Sequence, residues 1–377
     1  MHQNQYLFFI IVFFVYTLIN TYIFFRSKQA LPQSKIVRAI FYITYFFFFS
    51  AFIVSMIGRN TFHLSIQKIL YFQGTVWLGI MLYLFMFFLL TDLIYLLIRL
   101  LRFFPSSFTK QYGKIQVYSG YILVICLSVF GYYKFSHPRI VEQKIEIAKK
   151  AGDFKKLKVV GVSDLHLGVV IDKKRLEKYV RLINDQQPDI IIIAGDMIDN
   201  NVLPLEKERM WETLNKLHAP LGAYFCMGNH EYMVGIKSCM DFLRKTNLHL
   251  LIDDRIVINN SIQIIGLDDR LRSPRRKSLK DIIRNTDPAL PSLLLVHGPF
   301  NLGEAEQNGI DLQFSGHTHQ GQMFPGNLLI NRMYELPYGY KKTGNTHYYV
   351  TSGLGLWGPP FRIGTQSEIV VFNIEFN

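Results

Sequence analysis

The rhythm of apolar positions changes near residue 135. Before it, apolar residues run in long stretches. Tyr6 to Phe25, Ala39 to Gly58, Ile69 to Leu90 and Ile115 to Tyr133 are almost free of charge. Each approaches the roughly 20 residues a helix needs to cross a bilayer. The third continues past Asp92 to Ile98. After residue 135 the runs are short. Lys158–Ser163, Asp189–Ala194, Gly222–Met227, Ser292–Val296 and Asp311–Ser315 each have the length and content of a buried strand. Leu176, Val180 and Ile183 recur at helical spacing, and helices are predicted over Glu206–Leu217 and Ile236–Lys245. Alternation of Val141, Gln143, Ile145 and Ile147 with charged residues predicts a strand in the neck. Further strands are predicted at Ile256–Ile258, Ile262–Gly266, Tyr348–Thr351 and Glu368–Ile374, the last two closing the second half.

The pattern divides the chain into a membrane anchor of about four helices (1–135), a neck (136–156) and a catalytic part (157–377). Strands alternating with helices make the catalytic part layered α/β. A cleavable leader does not fit the first apolar run, because three more follow it.

The short runs end in residues that carry chemistry. Asp164-Leu-His166 follows the first, Gly195-Asp196-Met-Ile-Asp199 the second and Gly228-Asn229-His230-Glu231 the third. Val296-His297-Gly298 and Gly316-His317-Thr-His319 end the other two. Groups at the C-terminal ends of strands converge on one sheet edge, where open α/β folds bind ligands. Asp and His suit Mn, Zn or Fe, and no Cys belongs to the set. Two such cations about 3.5–4 Å apart can clamp both oxygens of an in-line displacement at phosphorus, and a water they hold ionises near neutral pH to attack it. Asp196 is the natural bridging carboxylate.

Taken singly these motifs are loops and turns, but five in order, each after an apolar run, resemble the calcineurin-like metallophosphoesterase superfamily. The resemblance covers about Lys158 to Asn377. It implies a four-layer α/β/β/α sandwich with two divalent ions at one edge. It implies Asp164, His166, Asp196 and His319 around the first metal, and Asp196, Asn229, His297 and His317 around the second. His230 is implied to protonate the leaving oxygen or stabilise charge. Asp199 is expected to fix the loop or a ligand imidazole. Gly316-His-Thr-His-Gln-Gly-Gln322 and Thr351-Ser-Gly-Leu-Gly-Leu-Trp-Gly-Pro-Pro-Phe-Arg362 are similar to a membrane-anchored bacterial phosphodiesterase-like branch. The glycine-rich segment is expected to fold over the metals. Arg362 then either contacts a substrate phosphate or serves packing, and Trp357 is expected to pack.

Charge narrows the partners. Residues 1–156 carry 17 Lys and Arg against four Asp and Glu, and the remainder 24 against 24. The whole excess of +13 therefore belongs to the membrane-flanking part, and no nucleic acid is expected. Cys126, Cys226 and Cys239 make no disulfide framework. Lys and Arg are richer in the first and third short loops (Arg26, Lys28, Lys35, Arg38; Arg99, Arg102, Lys110, Lys114) than in the second (Arg59, Lys68). The positive-inside rule then puts those loops in the cytoplasm and, with four spans, the catalytic part outside. Asp92 is expected at a membrane interface. The basic stretch from Arg270 through Arg272, Arg275, Arg276 and Lys277 to Lys280 is expected to be a solvated loop, with an anionic lipid headgroup as its other reading.

The expected function is hydrolysis of a phosphodiester or pyrophosphate on a lipid-linked or envelope-derived substrate. A UDP-diacylglucosamine-type precursor hydrolase is an alternative that requires a cytoplasmic site. A non-catalytic metal-binding receptor or transporter accessory is another.

Overall fold

The computed structural model describes residues 2–101, 106–270, 272–273, 276–284 and 286–377; Arg102 and Arg275 lie outside these. Contacts gather into two units, residues 1–132 with 358–360 and residues 133–357 with 361–377.

The first unit is helical. Helices α1 (His2–Ala30), α2 (Lys35–Ile57), α3 (Leu64–Leu100) and α4 (Ser106–Ser136) each contain a stretch long and apolar enough to cross a membrane. At 1.5 Å per residue, α3 is about 55 Å long and exceeds the roughly 30 Å hydrocarbon layer. Two polar hubs tie the helices. Asn20 donates to the Tyr16 carbonyl (2.8 Å) and accepts from Trp77 Nε1 (2.9 Å), while Tyr45 donates to its carbonyl (2.6 Å). Asp92 accepts from Tyr22 and Arg26 of α1 and, at 2.6 Å, from Gln116 of α4. Its carboxylate is thus spent on three side chains of neighbouring helices.

The second unit is a sandwich of two six-stranded sheets. The first sheet holds β1 (Arg139–Ile147), β2 (Lys156–Val162), β3 (Ile190–Ala194), β4 (Ala223–Cys226) and β5 (His249–Leu250). The second holds β6 (Asp254–Ile258), β7 (Ile262–Gly266), β8 (Ser292–Leu295), β9 (Leu312–Ser315), β10 (Gly339–Thr343) and β11 (Thr346–Val350). β12 (Glu368–Phe376) crosses back into the first sheet, giving the order β1-β12-β2-β3-β4-β5 against β10-β11-β9-β8-β7-β6. Sequence placed this strand in the second half. It instead runs parallel to β1 and antiparallel to β2, because Val370, Phe372 and Ile374 complete the core between the sheets.

Alternation builds the layers. Ile190, Ile192 and Ala194 of β3 face the second sheet and pack with Leu293, Leu295 and Phe314. Ile191 and Ile193 point the other way, into a core with Leu176, Tyr179 and Ile183 of α5 (Lys173–Asn184). Both faces are apolar, so the strand reads as a continuous run rather than an alternating one. Each such side chain stabilises the fold by about 1.5–3 kcal/mol. Three short helices complete this outer layer with α9: α6 (Leu203–Lys207), α7 (Met210–Leu214) and α8 (Asn229–Val234), then α9 (Ile236–Leu243). The single helix expected over Glu206–Leu217 is broken at Arg209, whose φ is 52°. The break lets both Leu205 and Met210 reach the core, which a straight helix would hold about 140° apart. On the far side α10 (Leu279–Ile283) and α11 (Gly303–Gln307) pack on the second sheet, and α12 (Gly326–Met333) follows the turn that carries His319. Four layers result, helices on both faces of two packed sheets.

Candidate metal centre

Five parallel strands deliver chemistry where they stop. β2, β3 and β4 are neighbours in one sheet, and β8 and β9 in the other. Their C-terminal ends lead to Asp164 and His166, to Asp196, to Asn229 and His230, to His297, and to His317 and His319. The backbone there is unusual. Asp164 (φ 54°), His166 (48°), Asp196 (51°), His317 (70°) and His319 (48°) all adopt left-handed conformations. Each costs a non-glycine residue about 1–3 kcal/mol and persists only where its surroundings over-determine it. They do so here. Asp164 N donates to Gly195 O (3.1 Å), His166 N to Asp196 O (3.0 Å), and His317 N to Asp164 Oδ2 (3.1 Å). Glycines open the space between the loops: a Cβ at Gly228 would collide with Asp196, and one at Gly195 with the His297 ring.

The side chains form adjoining groups. Asp164, His166 and His319 make one, with His319 Nε2 3.2 Å from Asp164 Oδ1 and 3.1 Å from His166 Nε2. Asp196, His297 and His317 make another, with His297 Nε2 3.1 Å from Asp196 Oδ2 and 3.2 Å from His317 Nδ1. Asp196 Oδ2 also stands 3.8 Å from His166 Nε2, so one carboxylate reaches both. Asn229 Oδ1 is buried with no hydrogen-bond partner among the described residues.

These residues fit divalent cations. Two imidazole nitrogens about 3 Å apart repel through their lone pairs unless a proton or a cation lies between them. Ligand atoms sharing a cation at about 2.0–2.2 Å approach one another to about that distance. Asn229 Oδ1, orphaned and buried, would otherwise cost about 1–3 kcal/mol.

Electrostatics agree. Burial opposes ionisation of Asp164, yet His319 and His166 hold its carboxyl well below the usual range. Burial also works against Asp196, but His297 holds it low. Burial pulls His297 down while Asp196 pushes it up, to about 10. His317 is lowered to about 4, by burial and by the neighbouring His297. Burial lowers His166. A cation competes with the proton for these lone pairs.

His230 stands beside the groups. Its Nδ1 donates to the Asp199 carbonyl (2.7 Å), which leaves Nε2 as the free ring nitrogen. Burial lowers its pKa, but Asp196 and the bond to Asp199 raise it on balance. Its ring lies 4.5 Å from that of His166. The carboxylate of Asp199 lies 3.8 Å from His166 Nδ1, where it can orient that ring.

Two supporting carboxylates escaped sequence reasoning. Glu231 is buried and accepts from the N–H groups of Asp196 (3.1 Å), Ile198 (3.1 Å) and Gly228 (2.9 Å), binding two ligand loops together. Burial, then Asp196, pushes its pKa to about 7. Its signal was present: an acid at the third position of a helix can reach back to the cap. Glu368, the first residue of β12, accepts from Arg139, Tyr338, Thr351 and Ser352 N.

The glycine-rich segment does lie against the centre. Leu354 N donates to Ser163 O and Gly355 N to Asp164 O, each at 3.0 Å. Arg362 is closed off from solvent. Its side chain is fully buried and donates to the carbonyls of His319 (3.0 Å), Gly353 (3.2 Å) and Gly355 (2.6 Å). Of the two roles sequence allowed it, the structure supports the packing one. The guanidinium clamps the His319 loop to the segment that touches Asp164. Burial lowers its pKa to about 10, still far above neutrality.

Residues 157–321 match the calcineurin-like phosphoesterase family. The chain is similar to an uncharacterized metallophosphoesterase of Campylobacter jejuni, 32% identical over 380 residues that cover 97% of each protein. It is 31% identical over 259 residues to one of Aquifex aeolicus, covering 67% of this chain and 98% of that one. A transmembrane protein with a metallophosphoesterase domain from Danio rerio is 30% identical over 270 residues, 67% of this chain and 61% of that protein. Likeness along nearly the full length of one relative, and over 67% of the chain in the others, makes this chain a membrane-associated member of the calcineurin-like phosphoesterase family and a metal-dependent phosphoesterase.

Proposed function

We propose that the chain hydrolyses phosphodiester or pyrophosphate bonds with two divalent cations. Asp164, His166, Asp196 and His319 hold one, and Asp196, Asn229, His297 and His317 the other. The observation that carries this reading is Asp196, whose single Oδ2 lies within 3.8 Å of His166 on one side and 3.1 Å of His297 on the other.

Bound cations supply Lewis-acid polarisation of a phosphoryl oxygen and an acidified water. The protein's own residues do the rest. Asp164 and Asp196 offset the cationic charge. Ala194 O accepts from His297 Nδ1 (2.8 Å), which fixes the tautomer and leaves Nε2 as the ligand atom. Asp199 O does the same for His230, so His230 Nε2 gives or holds the proton at the leaving oxygen. Glu231 and Arg362 lock the loops that carry these groups.

The membrane helices favour a lipid-linked or envelope-derived substrate. We further propose that the catalytic part faces away from the cytoplasm, on the Lys and Arg of the first and third short loops. This orientation disfavours a cytoplasmic, nucleotide-linked lipid precursor. The test is metal analysis of the purified chain, followed by turnover of bis(p-nitrophenyl) phosphate, p-nitrophenyl phosphate and a lipid pyrophosphate. Two equivalents of metal and preference for a diester or pyrophosphate are expected. One equivalent, or a monoester preference, overturns the reading. Alkaline phosphatase and green fluorescent protein fusions after Asn377 decide the orientation: phosphatase activity is expected, and fluorescence without it promotes the precursor hydrolase.

A further inference from the structure

Helix α12 follows the metal centre directly, yet none of its residues is buried. Three of its four large apolar side chains are exposed: Leu328 by 54%, and Leu329 and Met333 by 62% each. Trp357, which sequence expected to pack, is 54% exposed. The two segments are held together. Gln322 Nε2 donates to the Trp357 carbonyl (2.9 Å), and Gln322 Oε1 accepts from the Trp357 N–H (3.4 Å). Both ends of the helix touch the site. His319 lies seven residues before it, and the ring of Tyr334, just after it, stands 6.1 Å from that of His317. A fixed apolar rim therefore borders the metal centre.

Clustered exposed apolar residues of this size mark a contact surface. Their kind is informative. Exposed Leu328, Leu329, Met333 and Trp357, with Asn327, Asn331 and Arg332 interspersed along α12, combine the apolar, aromatic and cationic side chains that a membrane interface takes up. Arg332 can lay its stem along apolar surface and keep its charge in water. The occupant follows from the tether. Only His137 and Pro138 separate α4 from β1, and two residues span at most about 7 Å. Every copy of the catalytic part is thus held at a bilayer, at an effective concentration no soluble partner matches.

We propose that α12 and Trp357 form a membrane-dipping rim, which inserts Leu328, Leu329, Met333 and the indole among lipid headgroups beside the metal centre. A phosphate at the bilayer surface then enters the site from the lipid side. This rests on the membrane helices and the exposed rim, not on metal content, so it can fail or stand independently of the two-metal reading.

The full-length chain is reconstituted in phosphatidylcholine–phosphatidylglycerol vesicles. Its exposed Cys126 is replaced (Cys126→Ser), which leaves only the buried Cys226 and Cys239. A polarity-sensitive nitrobenzoxadiazole label is attached in Leu329→Cys or Met333→Cys, and in the control Lys237→Cys on α9, whose side chain is 91% exposed. Blue-shifted emission that doxyl-headgroup-region lipids quench is expected at 329 and 333, with neither effect at 237. The result should persist in EDTA. Emission at 329 and 333 matching that at 237 overturns the proposal. So does a shift at 329 that no doxyl lipid quenches and that grows with protein-to-lipid ratio, which would assign the rim to a second copy of the chain.

Discussion

Two polar hubs of the helical unit, Asn20 and Asp92, and the metal centre treat their buried polar groups in opposite ways. Among the helices, Asn20 and Asp92 are surrounded by partners that match them: Trp77, Tyr45 and the Tyr16 carbonyl for one, Tyr22, Arg26 and Gln116 for the other. In the sandwich, imidazole nitrogens face each other at 3.1 and 3.2 Å, Asn229 Oδ1 has no partner among the described residues, and Asp164, His166, Asp196, His317 and His319 have left-handed backbone. Polar groups that satisfy one another hold a fold together. Strained groups left facing one another are arranged for something the chain itself does not supply. Asp92, which might have drawn attention as a charge within an apolar helix, belongs to the first kind.

That contrast can be broken at its sharpest point by Asp196→Asn. A neutral amide cannot bridge two cations, so turnover should fall to background. Retention of a substantial fraction of wild-type turnover with both metals bound would defeat the assignment. His230→Ala comes next. Turnover should drop roughly 10²–10⁴-fold, the worth of a positioned acid, while metal content measured by plasma spectrometry stays at the wild-type level. Metal loss would instead make His230 a ligand. Arg362→Lys tests the clamp. A lysine cannot reach all three carbonyls in the same geometry, so about 1–3 kcal/mol of stability should be lost in denaturant titration. The half-saturating metal concentration should rise with it. Full metal affinity together with lost substrate affinity would restore the substrate-binding role. The smallest effect belongs to the helices: Asn20→Leu removes hydrogen bonds worth about 0.6 kcal/mol each in a membrane protein. Detergent unfolding should shift slightly, and turnover of a soluble diester should not change.

How much of this was legible depended on how local each cause is. Strands β2, β3, β4, β8 and β9 were readable because short, largely apolar or aromatic runs end in Gly, Asp or His within the same segment. The motif residues could be grouped because each lies at such an end. Long-range pairing left no comparable trace. Nothing near Glu368 announces that β12 joins the first sheet, since its partners Arg139–Ile147 lie more than 200 residues earlier. Arg362 looked available for a phosphate because its three acceptors are backbone carbonyls, which no side-chain pattern records. Trp357 and α12 were missed for a related reason. Their segments carry enough apolar residues to suggest packing, and only the fold leaves those residues exposed. Glu231 was quoted within its motif without a role, because its partners are N–H groups of loops that meet only after both strands have paired.

The place of β12 also sets an order of events during synthesis. β1 sits at the edge of the first sheet with β12 as its sole neighbour, and β12 also separates β1 from β2. Translation at about 5–20 residues per second leaves the segment beside the fourth helix without its mate for on the order of tens of seconds. Through that interval the first sheet lacks the strand that joins β1 to the rest, and Glu368 is not yet there to receive Arg139. β1 therefore gains its full partner strand only after the ribosome has passed Phe376, and a stop codon only a few residues earlier would leave β1 unpaired along part of its length.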